Sequence, residues 1–197
     1  MSSLLHFSTP KKLLHQSLVV SVILYTFATE MNEITVKESV VANAAAKGMD
    51  EFVGVFVDAI KGQIGELNAV TMASLNADQV TLLAWDILHQ EVMDGGFVQL
   101  LHNGYGPFFF NNPFGKMMRN WHLDDVARLL NKTRKLFGKY QEELEKEVSD
   151  EEFMQLYEKM PEFDDLDDCF VENEEQWTGL VACFIDEHID RFAKVEQ

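Results

Sequence analysis

The side chains in this sequence that could do chemistry are histidines with acidic neighbours, and they occur in three places. They are Asp86, His89 and His102 around a pair of glycines, His122 beside Asp124 and Asp125, and His188 among Asp186, Glu187 and Asp190. Metal enzymes place their ligands at recognisable spacings, as in HExxH or the EF-hand loop, and none of those spacings occurs here. No local pattern of a Ser-His-Asp or Cys-His site is present either. The sequence therefore predicts no catalytic residue, no metal and no cofactor, with a metal-binding enzyme as the weaker alternative.

The overall charge indicates what kind of partner this chain can bind. It contains 33 Asp and Glu against 16 Lys and Arg, a formal net charge of −17. Binding to DNA, RNA or an anionic membrane needs surplus Lys and Arg, so this balance argues against all three and favours a basic protein as partner. Aromatic residues make up 11% of the chain, which is typical of a folded body rather than a disordered acidic tail.

Most of that charge lies in one segment, between Glu142 and Glu175. This segment has sixteen acidic residues and only two lysines, a local balance of −14. Carboxylates at every second helical residue would be about 3 Å apart along the axis, against about 1.7 Å per charge on duplex DNA. The residues expected to bind a partner are Asp164, Asp165, Asp167, Asp168, Glu172, Glu174 and Glu175, followed by Glu142, Glu143, Glu145 and Glu147. The alternative is a solvated face that only maintains solubility.

The apolar pattern predicts an all-α fold, a single compact multi-helix domain over residues 31–197. Capping-box spacing at Thr35 and Glu38 predicts a first helix that ends at Gly48, and a second is predicted over 50–64. Further predicted elements are a helix capped by Asn76, a short helix 97–102, a loop over 106–113 with three phenylalanines expected to pack into the core, and a helix from Pro113 to about Trp121. The last are a helix from Asp124 to about Glu147, one capped by Ser149 and Glu152 that ends before Pro161, an acidic connection, and a helix from Asn173 to about Ala193.

The first thirty residues are predicted to be an N-terminal extension of uncertain status. Lys11 and Lys12 precede a largely apolar stretch to Ala28, which has the layout of a signal peptide. The stretch is shorter than the roughly 20 residues that a membrane-spanning helix needs, and no small-residue cleavage site follows it. A signal, an anchor and a misassigned start before Met31 therefore all stay open, while no membrane contact is expected for residues 31–197.

The two cysteines indicate a reducing compartment. Cys169 and Cys183 form no CxxC pair and no disulfide framework, so a cytoplasmic location is expected. Cys183 lies in an apolar run and is interpreted as a small core residue.

The most specific motif is a two-glycine reversal between a long helix and a short one. Gly95 and Gly96 would allow a tight turn with positive φ, after which Phe97 can fold back as an apolar anchor. Around the turn, Glu91, Gln99 and Asn103 are expected to bond amides and carbonyls of the loop, and Gly104 ends the short helix. No Lys or Arg accompanies the glycines, so we interpret the motif as architectural rather than as a phosphate cradle.

This run resembles the E-V-x-N-G-G-F-x-Q-F-x-x-N-x-x-G pattern of an acidic DNA-mimic protein family, whose domain is otherwise of unknown function. Downstream, Leu166-Asp167-Asp168-Cys169-Phe170 is similar to the family's Leu-Asp-x-x-Phe element, so that the resemblance covers roughly residues 70–192. Asp94 stands where the family commonly has Asn, and Leu100 where it often has Phe.

The resemblance implies an all-helical, often dimeric protein whose surface carboxylates imitate DNA phosphates. Its expected partner is then a DNA-binding protein such as a helix-turn-helix transcription factor, and a homodimer is implied. An inhibitor or immunity-type protein that acts on a basic toxin or nuclease would use the same acidic face. The sequence leaves that alternative open.

Overall fold

The computed structural model describes residues 33–65 and 67–197, and it confirms the all-α class and the compact helical domain. The predictions for residues 1–30 lie outside the described residues. Two short strands accompany the helices, and the elements in chain order are β1 (Thr35–Lys37), α1 (Glu38–Ala45), α2 (Met49–Ile64), α3 (Ala69–Met72), α4 (Ala77–His102), α5 (Gly106–Asn111), α6 (Phe114–Asn120), α7 (Asp124–Leu144), α8 (Asp150–Lys159), a 3₁₀ turn (Pro161–Phe163), α9 (Asp164–Glu187), a second 3₁₀ turn (Ile189–Arg191) and β2 (Lys194–Glu196).

The first and last elements of the domain form a two-stranded parallel sheet, with Val36 opposite Val195. The predicted capping box at Thr35 is therefore wrong, since Thr35 belongs to β1 and Lys37 precedes α1 without a side-chain cap. This segment is a strand because its side chains alternate between the core and solvent: Ile34 and Val36 are buried, while Thr35 between them is exposed. The last predicted helix is likewise too long at its C-terminus, because α9 ends at Glu187 and the chain continues into β2.

Three helices enclose the centre of the core, with α2 and α9 both packed against α4. The prediction for α2 is confirmed, and its buried residues are those with the expected three-and-four spacing, namely Phe52, Val53, Phe56, Val57 and Ile60. Asn76 caps α4 as predicted, since its side chain accepts a hydrogen bond from the Gln79 amide and Gln79 returns one. The capping box of Ser149 and Glu152 is also confirmed at the start of α8.

The segment with three phenylalanines is the short helix α5, so the predicted loop is wrong. Gly106 begins it, and a Cβ there would lie 2.6 Å from the Phe137 ring, so only glycine allows this approach to α7. Phe109 is buried against Phe114, with ring centroids 5.1 Å apart, and Phe110 packs on Phe137. The expectation that the phenylalanines pack into the core is confirmed.

The acidic stretch before Asn173 is helical, so the predicted connection there is wrong. Helix α9 begins at Asp164, and Asn173 lies inside it, where its side-chain amide donates to the Cys169 carbonyl. Apolar residues at three-and-four spacing are buried on one side of this helix. The acidic residues in its first turn also stabilise it, because they lie at the positive end of the helix dipole. Those buried residues are Leu166, Phe170, Trp177, Val181, Phe184 and Ile185.

Two smaller expectations also need correction. Helix α7 ends at Leu144 rather than Glu147, because Leu144 is fully buried and Glu145 already forms the cap. Cys183 is exposed on α9 rather than a core residue, and both cysteines are free thiols. None of the helices in the described part of the chain has both the length and the apolar character needed to cross a membrane.

Candidate functional site

Helix α4 is broken at Gly95 and Gly96, and this kink organises the candidate site. Gly96 has φ 70° and ψ −175°, a conformation that is nearly restricted to glycine. Gly95 has φ −151°, so the expectation of positive φ holds for Gly96 alone. A Cβ on Gly96 would also lie 2.5 Å from a carboxylate oxygen of Asp167. Glycine is therefore required at position 96 for its backbone angle and for the close approach of α9.

The break leaves backbone groups without helical partners, and side chains from the C-terminal third bind them. The Phe97 amide donates to Oδ1 of Asp167 at 2.7 Å. The Tyr157 hydroxyl donates to the Gly95 carbonyl at 2.8 Å, from α8. Unpaired polar groups are costly inside a protein, so these two bonds make the kink compatible with burial.

A side-chain cluster spans the kink on its outer side. Glu91 accepts from the side-chain amides of Asn103 at 2.8 Å and Gln99 at 3.2 Å, and Gln99 also donates to Asp94 at 2.9 Å. These side chains bond to one another, rather than to loop amides and carbonyls as expected. Asn103 forms the cap of α4, and Gly104 follows it with φ 85°.

The two motifs that carry the family resemblance meet at this kink. Asp167 from the second motif binds the Phe97 amide of the first, although the residues are 70 positions apart. Phe170 packs edge-on against Phe97, with ring centroids 6.3 Å apart and an interplanar angle of 90°. The motifs therefore form one clasp that fixes α9 against α4.

Two of the acidic residues expected at the partner surface are turned inward by this packing. Burial raises the pKa of Asp167 to about 6, opposed by the hydrogen bond from Phe97 and reinforced by the neighbouring carboxylates of Asp164 and Asp168. Glu174 is half-buried and accepts from the Thr178 hydroxyl at 3.0 Å, with His89 Nε2 at 2.6 Å from the same oxygen. The structure thus gives both side chains internal contacts.

The other five predicted residues of α9 are exposed and share one side of the helix. We name this set the acidic stripe: Asp164, Asp165, Asp168, Glu172 and Glu175. At 100° per residue the five positions fall within an arc of about 100°, opposite the buried residues of α9. They span about 16 Å of axis at 1.5 Å per residue, so consecutive charges are separated by about 4 Å on average.

A second group of acidic residues lies at the C-terminal end of α7, which contacts α9 and the 3₁₀ turn before it. Glu142, Glu143, Glu145 and Glu147 are exposed there, as expected. Tyr140 on α7 donates to Glu162 at 2.8 Å, and Lys139 also pairs with Glu162. Hydrogen bonds from Lys139 and Tyr140 lower the pKa of Glu162 to about 2. This contact holds α7 beside the 3₁₀ turn that precedes α9.

Sequence reasoning missed two features of this surface. Hydrophobic side chains are exposed among the acids, namely Met154 on α8 at 64% and Val171 beside the acidic stripe at 54%. A basic stripe also runs along the exposed side of α7, formed by Arg128, Lys132, Lys135 and Lys139. The sequence contained a signal for this stripe, because residues spaced four, three and four positions apart lie on one face of a helix. Helix α7 therefore carries a basic stripe along its middle and an acidic group at its C-terminal end.

Most of the histidines singled out by the sequence have structural contacts. His102 bonds the Leu144 carbonyl and packs on Phe153, while His188 bonds the Phe184 carbonyl and stacks on that ring. His122 is exposed in the turn after α6, with φ 64°. Among these histidines, only His89 contacts a carboxylate through its ring nitrogen, and its partner is the distant Glu174.

These features define an acidic all-helical protein in which a carboxylate-rich helix is clasped to a glycine kink. The model of the DMP19-like protein family matches residues 73–188, which is more than half of the chain, so the chain belongs to this family. The matched range includes the kink and all of α9. The resemblance read from the motifs is thereby confirmed.

A curated relative gives a second comparison. The DNA mimic protein DMP19 of Neisseria meningitidis serogroup B is 32% identical to this chain over 128 residues. The match covers 64% of this chain and 78% of the relative.

Proposed function

We propose that this protein is a DNA mimic that occupies the basic surface of a DNA-binding protein, such as a transcription factor, in the cytoplasm. The acidic stripe of α9 is the part that imitates DNA, and the glutamates at the end of α7 extend it. The chain's membership of the DMP19-like family and its relative's name support this role. The proposed action is sequestration by binding, without catalysis.

The spacing of the acidic stripe is the observation that carries the proposal. Each DNA strand has one phosphate per about 3.4 Å of helix axis, and the stripe has one carboxylate per about 4 Å of the axis of α9. The charge density along α9 is therefore close to that along one DNA strand, so a basic surface that binds DNA can also bind the stripe. Val171 adds an apolar contact, which DNA phosphates do not offer.

A mimic must hold its charges in place against their mutual repulsion, and α9 meets this requirement. Its buried side packs Phe170 against Trp85, Phe97 and Trp177. Asp167 pins the first turns of the helix to the kink of α4. Because the stripe is preorganised, little conformational entropy has to be lost when a partner binds.

The basic stripe of α7 favours one orientation of the complex. A basic partner is attracted to the acidic stripe and repelled by Lys132 and Lys135. The partner is therefore expected to approach from the side of α9.

The test compares two variants that remove the same number of charges. The first carries Asp164→Asn, Asp165→Asn and Asp168→Asn in the acidic stripe. The control carries substitutions of three exposed aspartates elsewhere, Asp58→Asn, Asp124→Asn and Asp190→Asn. Each full-length protein is used as bait in lysate of the native organism, and the captured DNA-binding protein is purified for titration.

We expect the stripe variant to bind the purified partner about 30-fold more weakly, at about 0.7 kcal/mol for each lost exposed ion pair. The control should bind like the wild type, and duplex DNA should displace both. Equal weakening in the two variants would mean that net charge alone steers binding, which contradicts mimicry. Capture of a toxin or nuclease that DNA does not displace would instead support the inhibitor or immunity alternative.

The homodimer implied by the family resemblance is also a proposal. Sedimentation equilibrium of the full chain measures it directly, since a dimer has twice the mass of 22.6 kDa.

A further inference from the structure

Three helices bring one histidine and two carboxylates together, with the histidine six residues before the kink on α4. His89 lies on α4, Asp50 in the first turn of α2 and Glu174 in the middle of α9. One ligand atom from each of the three side chains lies within 4.8 Å of the other two. The sequence gives no sign of this cluster, because His89 and Glu174 are 85 positions apart.

The two carboxylates of the cluster, Asp50 and Glu174, form no ion pair with a Lys or Arg among the described residues. Nearby Asp86 differs, since Lys61 binds it at 2.6 Å. The contact between His89 Nε2 and Glu174 Oε1 is 2.6 Å, and a hydroxyl bond from Thr178 holds the carboxylate in place. Two carboxylates and an imidazole thus converge in a chain that is already strongly anionic.

The space beside the cluster is large enough for a hydrated ion. A cavity of about 150 Å³ is lined by Asp50, His89, Gln90 and Thr178. Gly54 also lines it, and a Cβ on that glycine would meet nothing within 4 Å. Since a water molecule takes up about 30 Å³ in the liquid, the cavity has room for an ion and several waters.

We propose that Asp50, His89 and Glu174 bind a divalent first-row transition-metal ion, with Zn²⁺ as the best match. One imidazole and two carboxylates are a donor set that Zn²⁺ accepts, with water in the remaining position. In a tetrahedral site with bonds of about 2.0–2.2 Å, two ligand atoms lie about 3.4 Å apart. Side-chain rotations that separate His89 from Glu174, which are now 2.6 Å apart, and bring Asp50 closer would therefore form the site. The metal replaces the proton between His89 Nε2 and Glu174, and the two carboxylates balance its charge.

Metal binding at this place would cross-link three helices of the core. It would join α2 and α4 to α9, the helix that carries the acidic stripe. Because the three ligands come from distant parts of the chain, the ion binds the folded state and is expected to raise the melting temperature.

The test is calorimetric titration of the metal-free full chain with ZnCl₂ at physiological ionic strength. We expect one tight site per chain, weakened about tenfold or more by Asp50→Asn, whereas Asp58→Asn, also at an exposed position of α2, should have no effect. Asp50 is exposed, and no hydrogen bond or ion pair of its side chain is needed for the fold, so Asp50→Asn should stay folded.

Two further measurements separate this site from diffuse cation binding to the acidic surface. The stripe variant of α9 should keep the tight site, and Zn²⁺ should shift the imidazole ¹⁵N resonances of His89 but not those of exposed His122. Unchanged affinity in Asp50→Asn, loss of the tight site in the stripe variant, or unshifted His89 resonances would each overturn the proposal.

Discussion

Replacing Asp167 by asparagine tests how the clasp between α9 and the kink of α4 is held. The pKa of Asp167 is raised from 3.8 to about 6 because the carboxyl is largely buried. A shift of about two pH units corresponds to about 3 kcal/mol at 1.36 kcal/mol per unit. Part of the side chain remains accessible to solvent, so screening reduces this value, and we expect about 1–2 kcal/mol.

The sign of the stability change follows from the linkage between protonation and folding. A carboxyl with a raised pKa in the folded state favours folding when it is protonated. That contribution is complete below about pH 4 and is lost as the pH rises through about 6, so ionised Asp167 destabilises the fold at neutral pH. Asparagine keeps an oxygen that accepts from the Phe97 amide and carries no charge. The Asp167→Asn protein should therefore be more stable than the wild type at pH 7 by about 1–2 kcal/mol.

The assay is urea unfolding of the wild type, Asp167→Asn and the control Asp58→Asn between about pH 4 and pH 8. Asp58 is exposed on α2 and is not among the groups that shift the pKa of Asp167, so its variant should follow the wild-type profile. The difference between Asp167→Asn and the wild type should be small near pH 4 and largest at pH 7. A difference that does not change with pH would refute the reasoning. A variant that is less stable at pH 7 would show that the ionised hydrogen bond outweighs the burial of charge.

Three more predictions concern the kink and the surface next to it. Gly96→Ala should lower the free energy of unfolding by about 2–4 kcal/mol, because it adds backbone strain and displaces Asp167, whereas Gly104→Ala faces open space and should cost about 1 kcal/mol. Tyr157→Phe should cost about 1–2 kcal/mol in the same assay, since it leaves the carbonyl before the kink unpaired. NMR titration should show Glu162 ionising at about pH 2, below its ordinary value of 4.5, and Lys139→Gln should raise that midpoint.

The parts of the fold that the sequence predicted well are those set by neighbouring residues. Capping by Asn76 and Ser149 depends on a partner three positions later, and the buried side of α2 depends on spacing within one helix. The prediction of a connection after Pro161 was wrong because the structure of this acidic stretch depends on distant residues. Its composition is typical of a solvated connection, and its helix forms because Leu166 and Phe170 pack on residues far away in the chain.

The candidate site depends even more on distant contacts. The sequence indicated which residues are acidic, but not that Asp167 would be drawn inward by an amide 70 positions earlier while Asp168 stays in solvent. The Gly95-Gly96 pair correctly indicated a break in the helix, although the structure has a kink there rather than a reversal. The sequence could not indicate which side chains bind the Phe97 amide and the Gly95 carbonyl, because Asp167 and Tyr157 come from two other helices. The pairing of β1 with β2 is a further case, since each strand has only three residues.

That pairing makes the two ends of the described domain depend on each other. The Lys194 amide donates to the Ile34 carbonyl at 2.8 Å, so the last strand supplies the neighbour of the first. Everything between the strands acts as one long crossover, and neither strand has another strand to pair with among the described residues. Fraying at one terminus therefore exposes the other, and a fusion that displaces β2 also releases β1 from its register. The two strands are therefore one unit of stability, which can form only after β2 has been synthesised.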